Sequence, residues 1–218
     1  MTPSEVLDRR APYHGDRRRT ALLSALDELL RERGFDAINV ADISGKAGLT
    51  RSAFYFYFEN KAACAAALSS EMYQEVFTAA ENLVAPDTTP RQRIEDTIHG
   101  VFAAWESHQY LYRAMLAARQ NNESVRQLWD SYRESFVEPV GAMIEAERAA
   151  GRAPAGPDGR ALATMLLELN DRALERLAAD DSLGRHRRAE VLVTIWLRTI
   201  FGVTGDEAAA AAIDRSPT

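Results

Sequence analysis

Between Asn39 and Phe58 the chain reads NVADISGKAGLTRSAFYFYF, a run that few folds can accommodate. Asn39 has the short polar side chain of a helix N-cap, and Asp42, three residues on, completes a reciprocal capping pair, which predicts a short helix to about Lys46. Gly48 stops that helix, and Thr50 caps a second one running to Phe58. Val40, Ile43, Ala47, Leu49, Phe54 and Phe58 are spaced to build one small core. The third wall comes from the stretch before it, where Leu22, Leu23, Leu26, Leu29 and Leu30 recur at helical spacing from Arg17 until Gly34. The N-terminal region is therefore predicted to be three helices, the last two meeting at a tight turn.

The remainder reads as helix throughout. The chain holds 37 Ala and 21 Leu against 11 Val and 8 Ile, a bias towards side chains that lose little freedom in a helix. One long helix is expected from about Lys61, carrying Ala65, Leu68, Met72, Val76, Ala79 and Leu83 on one face. Pro90 suits the first turn of the next, whose stripe is Ile94, Ile98, Val101, Phe102 and Trp105. A shorter helix around Tyr110–Ala118 leads to a turn at Asn121-Asn122. The run from Val125 to Ile144 keeps helical spacing, with a kink expected at Pro139. After the loop Gly151–Gly159 come two helices at about 158–179 and 187–203. The predicted fold class is all-α, with residues 1–16 as a flexible arm, 17–62 and 63–205 as two domains, and 206–218 as a tail.

Two short capped helices joined at a glycine turn have the anatomy of a helix-turn-helix, whose second helix enters the major groove of double-stranded DNA. The net charge of −6 argues against such a partner only when taken whole. Residues 1–62 hold ten basic and nine acidic side chains, while the rest holds sixteen and twenty-three, so the acidic surplus lies outside the candidate DNA reader. Thr50, Arg51, Ser52 and Ala53 open the second helix and are the candidates for base edges, Arg51 towards guanine and Ala53 towards a thymine methyl. Tyr55 and Tyr57 offer hydroxyls to phosphates, and Lys61 stands at a helix N-terminus, which favours anions. Asn39, Arg17 and Arg18 complete the candidate DNA-facing set.

The run also resembles the DNA-binding signature of the TetR family of bacterial transcriptional regulators, V-x-D-I-x-x-x-A-G-[VL]-[ST]-x-x-x-[FL]-Y-x-[HY]-F-x-x-K. Val40, Asp42, Ile43, Ala47, Gly48, Leu49, Thr50, Phe54, Tyr55, Tyr57, Phe58 and Lys61 fall on it. Among TetR-like proteins the chain resembles the ethionamide-resistance repressor branch, through FYFYF at Phe54–Phe58, AAR at Ala117–Arg119, IEAER at Ile144–Arg148 and VLVTIW at Val191–Trp196. The resemblance implies a nine-helix fold, a homodimer on a palindromic operator, and an apolar small-molecule effector bound in the C-terminal region.

The residues of the C-terminal region carry readings of their own, one for a dimer and one for a pocket. The helix at 187–203 is apolar most of the way round, which suits pairing of both C-terminal helices with a second copy. Phe102, Trp105, Trp129, Tyr132, Phe136 and Trp196 fall on inward faces of several helices, where they are either plain core or the wall of a ligand pocket. The resemblance adds Asn170 as a polar handle in such a pocket. The sequence departs from that branch at Leu167, Arg133, Pro139 and Glu175, with Glu168 and Arg172 adding charge nearby.

No catalytic constellation is apparent. The four histidines stand far apart, there is no HExxH, GxSxG or Gly-rich phosphate loop, and no cofactor or metal site is expected. The single Cys64 and the absence of a long apolar run fit a cytoplasmic chain with no membrane segment. Two other readings remain open on residues alone: an architectural DNA-binder without an effector, and a helical ligand-binding domain or enzyme with no DNA role.

Overall fold

The computed structural model describes residues 17–84, 88–179 and 183–202. The arm at 1–16 and the tail at 206–218 lie outside the described residues. Among those described, the chain forms ten α-helices and no β-strand. It divides into two compact units, one taking in the chain up to Tyr73 together with His108–Tyr132, the other Gln74–Ser107 and the chain from Arg133 on.

The first unit is built on α1 (Arg17–Glu32), α2 (Val40–Lys46), α3 (Arg51–Tyr57), α4 (Lys61–Leu68) and α7 (Gln109–Asn121). Leu22, Leu26, Leu29 and Leu30 line the buried face of α1, where the leucine periodicity predicts them. In α4 all six residues from Ala62 to Ala67 are buried, Cys64 among them. Five alanines and a cysteine make a helix thin enough to pack against both α1 and α7.

The single long helix expected from Lys61 is two helices, which raises the count to ten. Ser69 separates α4 from α5 (Ser70–Ala80), with its hydroxyl donating to the Ala65 carbonyl at 2.9 Å and its ψ opened to −6°. A serine bonded back onto the preceding turn competes with the helix ladder, and Ser70 follows it directly.

The second unit contains most of α5, α6 (Pro90–Ser107), the C-terminal end of α8 (Glu123–Ala149), α9 (Gly159–Ala178) and α10 (Arg185–Phe201). The Gly100 Cα of α6 lies so close to α5 that an added Cβ would come within 2.6 Å of the Ala79 Cβ, so only glycine allows this approach. Helix α8 continues through Pro139. Its Glu147 is buried yet charged, accepting from Arg152 Nε at 2.7 Å and from Arg152 Nη2 and Arg93 Nη2 at 3.0 Å each. Burial would raise this carboxyl, but the hydrogen bonds from Arg152 and Arg93 outweigh it and hold it below the ordinary range.

Candidate functional site

The local chemistry of residues 39–58 fixes the helix-turn-helix. Asn39 Oδ1 accepts from the Ala41 and Asp42 amides at 2.8 and 3.0 Å, and Asp42 Oδ2 accepts from the Asn39 amide at 2.9 Å, which is the predicted capping box. At the turn Gly48 takes φ +67°, a conformation glycine adopts without strain, and the Leu49 amide closes back on the Ser44 carbonyl at 2.8 Å. Thr50 Oγ1 then accepts from the Ala53 amide at 3.1 Å and starts α3. Ion pairs from Lys46 to Glu28 and Glu32, at 3.0 and 3.4 Å, and from Arg33 to Asp42 at 3.3 Å tie α2 to α1 and its C-terminal flank.

Helix α3 has a core side and an open side. Phe54 and Tyr57 are buried, as is Phe58 just beyond, while Arg51, Ser52, Tyr55 and Phe56 are exposed and Ala53 is half-buried. Arg17 and Arg18 stand exposed in the first turn of α1. Asn39 and Thr50 are also exposed, with their side-chain oxygens used in caps.

Two of the expected phosphate contacts sit differently. Tyr57 is 5% exposed, because it lies three residues after Phe54 and so shares its buried side. Lys61 turns inward, donating to the Phe35 and Ile38 carbonyls at 2.6 Å each with its ammonium 4.0 Å from the centre of the Phe35 ring. Burial pulls its pKa below the usual lysine value, against the opposing pull of Asp36 and Asp42. In this arrangement Lys61 fastens the turn at Phe35–Ala37 to the start of α4.

Sequence reasoning passed over Phe56, although its place four residues after exposed Ser52 would have put it on the open face. It also passed over Tyr110. From α7, Tyr110 donates its hydroxyl to Asp27 Oδ1 at 2.5 Å and accepts from Arg31 Nη2 at 2.6 Å, while Arg31 Nε bonds Asp27 Oδ2 at 3.0 Å. Burial, with the Asp27 hydrogen bond, pushes the Tyr110 hydroxyl up to about 12. A cavity of about 390 Å³ lies alongside, lined in part by Thr20, Ser24 and His108. No local pattern points to this contact, because α1 and α7 are distant in sequence.

The expected ligand residues divide between the units. Trp129 and Tyr132 belong to the first. Trp129 meets Tyr112 edge-on at 5.2 Å with the Arg119 guanidinium 4.7 Å from its ring, and Tyr132 stacks on Tyr73 at 3.6 Å. Phe102, Trp105, Phe136, Asn170 and Trp196 belong to the second. There Trp196 Nε1 donates to Asn170 Oδ1 at 3.1 Å, and Phe136 stacks on Phe77 at 4.5 Å. Phe102 and Trp105 are buried, and the Trp105 indole N–H has no hydrogen-bond partner among the described residues. Arg133, a departure from the branch pattern, pairs with Asp171 at 3.1 Å, and Glu175 pairs with Arg172 at 3.1 Å. Among the described residues no cluster of His, Cys, Asp or Glu is placed to hold a metal ion, and no helix is long and apolar enough to cross a membrane.

Comparison with known proteins agrees with this geometry. Residues 22–68 match the family described as bacterial regulatory proteins, tetR family, and residues 94–202 match the C-terminal domain of the transcriptional regulator EthR. The HTH-type transcriptional regulator EthR of Mycobacterium tuberculosis is 33% identical over 198 residues, which cover 89% of this chain and 92% of that protein. Among solved structures, NalD of Pseudomonas aeruginosa, described as the secondary repressor of the MexAB-OprM multidrug efflux pump, superposes with a TM-score of 0.65 at 22% identity, over 84% of this chain and 96% of that one. SmeT in complex with triclosan gives 0.61 at 20% identity, over 89% and 90%. A helix-turn-helix transcriptional regulator is the class that fold and site define. The chain belongs to the TetR family and carries the EthR type of C-terminal domain. Its curated relatives are described as HTH-type transcriptional regulators.

Proposed function

We propose that this regulator is a cytoplasmic repressor that sits as a homodimer on a palindromic operator and leaves it when an apolar small molecule enters the C-terminal region. The observation that carries the DNA half of this reading is the open side of α3, where Arg51, Ser52 and Tyr55 stand over a buried Phe54 and Tyr57. Residues 17–62 then act as the DNA-binding domain and 63–205 as the effector and dimer domain. The dimer is supported by Met165 and Leu169 on α9 and Val191 on α10, which are 64%, 37% and 46% exposed on helices that already bury another face. Apolar residues on both sides of a helix suit a four-helix pairing between two copies.

The effector is supported by the buried Trp105 N–H, which a ligand acceptor would satisfy, and by the Asn170–Trp196 hydrogen bond, which a ligand with its own polar group would exchange. NalD is described as a repressor and SmeT is seen with triclosan, which favours the same reading here. Effector and DNA would compete by stabilising different conformers, so that each lowers the affinity for the other.

The test is a gel-shift and fluorescence-anisotropy titration of the full chain against the DNA upstream of its own gene, followed by a thermal-shift screen of apolar compounds. The expected results are a sequence-selective complex containing two protomers, and at least one stabilising compound that dissociates it. Absence of any selective complex at moderate salt overturns the DNA reading, and a selective complex that no compound disturbs leaves an architectural binder.

A further inference from the structure

The open side of α3 consists of two neighbouring pairs, Arg51 with Tyr55 and Ser52 with Phe56, the members of each one helical turn apart. Phe56 is 49% exposed, although its neighbours Phe54 and Tyr57 are buried. Its ring is braced edge-on against Tyr57, with centroids 5.0 Å apart and planes at 88°. A phenyl group propped by a buried ring is an apolar surface whose position is set before any partner arrives. Single exposed apolar side chains are ordinary on proteins. This one stands on the helix that a helix-turn-helix lays into the major groove.

A phenyl ring has no use for the hydrogen-bonding edges of the bases. Several polar groups otherwise suited to readout are engaged elsewhere, since Asn39 Oδ1 and Thr50 Oγ1 cap helices and Lys61 faces inward. The apolar feature that the major groove offers is the C5-methyl group of thymine. Ala53, three residues before Phe56 and half-buried, extends the same apolar strip. Resting on the DNA-binding reading above, we infer that Phe56, with Ala53, reads the operator through thymine methyl groups. The half-site is then specified by thymines facing Phe56 as much as by a guanine facing Arg51.

The probe is a duplex that the full chain selects from a random pool, with each thymine replaced in turn by deoxyuridine. That exchange removes the methyl group and keeps every hydrogen-bonding atom. Anisotropy at fixed salt is expected to lose about three- to fivefold in affinity at one or two positions per half-site, the change that burying one methyl-sized group brings. Phe56→Ala is expected to bind more weakly and to lose the distinction between thymine and deoxyuridine at those positions, and Phe56→Leu to keep some of it. Phe56→Gln serves as a second deletion of the apolar contact, and circular dichroism melts check that each variant folds. If deoxyuridine is neutral at every position, or if Phe56→Ala and Phe56→Gln keep the full methyl sensitivity, the inference is overturned while the DNA-binding reading stands. If the chain selects no sequence from the pool, the DNA-binding reading fails and the inference fails with it.

Discussion

Tyr110 and Asp27 meet at 2.5 Å, the hydroxyl of an α7 residue donating to a carboxylate of α1, with Arg31 bonded to both. Tyr110→Phe removes one hydroxyl and leaves a partly buried carboxylate short of a donor. A loss of about 1–2 kcal/mol in urea unfolding is expected. The Tyr110 hydroxyl is held up at about 12, so its contribution is complete below the unfolded value near 10 and disappears as pH rises through the folded one. Absorbance titration of the phenolates should therefore show a late step in the wild type that Tyr110→Phe lacks.

Lys61 gives a sharper discrimination. With its ammonium on two backbone carbonyls, Lys61→Met should lower the melting temperature yet leave the salt dependence of DNA binding unchanged. Arg51→Ala should instead reduce the slope of log K against log salt by about one if the guanidinium meets phosphate, or relax preference at one base pair if it meets guanine. A Lys61→Met protein with normal stability and a reduced slope would place the ammonium on DNA after all.

Glu147 is charged and buried between Arg93 and Arg152. Replacing it with alanine strands Arg93, and about 3–5 kcal/mol of stability should be lost. Its folded pKa is depressed, so its contribution is present above the unfolded carboxylate value and declines as pH falls through the lower folded one. The stability difference between wild type and Glu147→Gln should therefore hold from pH 6 to about 4 and shrink as chemical unfolding is followed to lower pH.

Met165→Glu and Val191→Glu put charge on the exposed apolar residues of α9 and α10. On the proposed dimer, sedimentation velocity should show a dimer for the wild type and monomers for the double variant, with helix content unchanged by circular dichroism. A double variant that still sediments like wild type would move the dimer surface elsewhere.

The caps were legible because they are local. Asn39, Asp42 and Thr50 act on amides two or three residues away, and they stand where the spacing put them. The leucine face of α1 was legible because it repeats at helical spacing from Leu22 to Leu30. Helix α3 is too short for periodicity alone to settle its faces, so the buried side of Tyr57 does not show in it, and the open side of Phe56 is marked only by its spacing from Ser52. The break at Ser69 hid inside an alanine-rich run, where nearly every phase looks apolar. The Tyr110–Asp27 contact and the buried Glu147 join segments whose meeting no window of sequence records.

Alanine has no side-chain rotamers, so the layer from Ala62 to Ala67 cannot absorb a small shove by repacking, and only Cys64 has even one torsion to turn. Within this unit α4 works as a shim between α1 and α7: its backbone sets the gap, and a displacement on one side must emerge on the other.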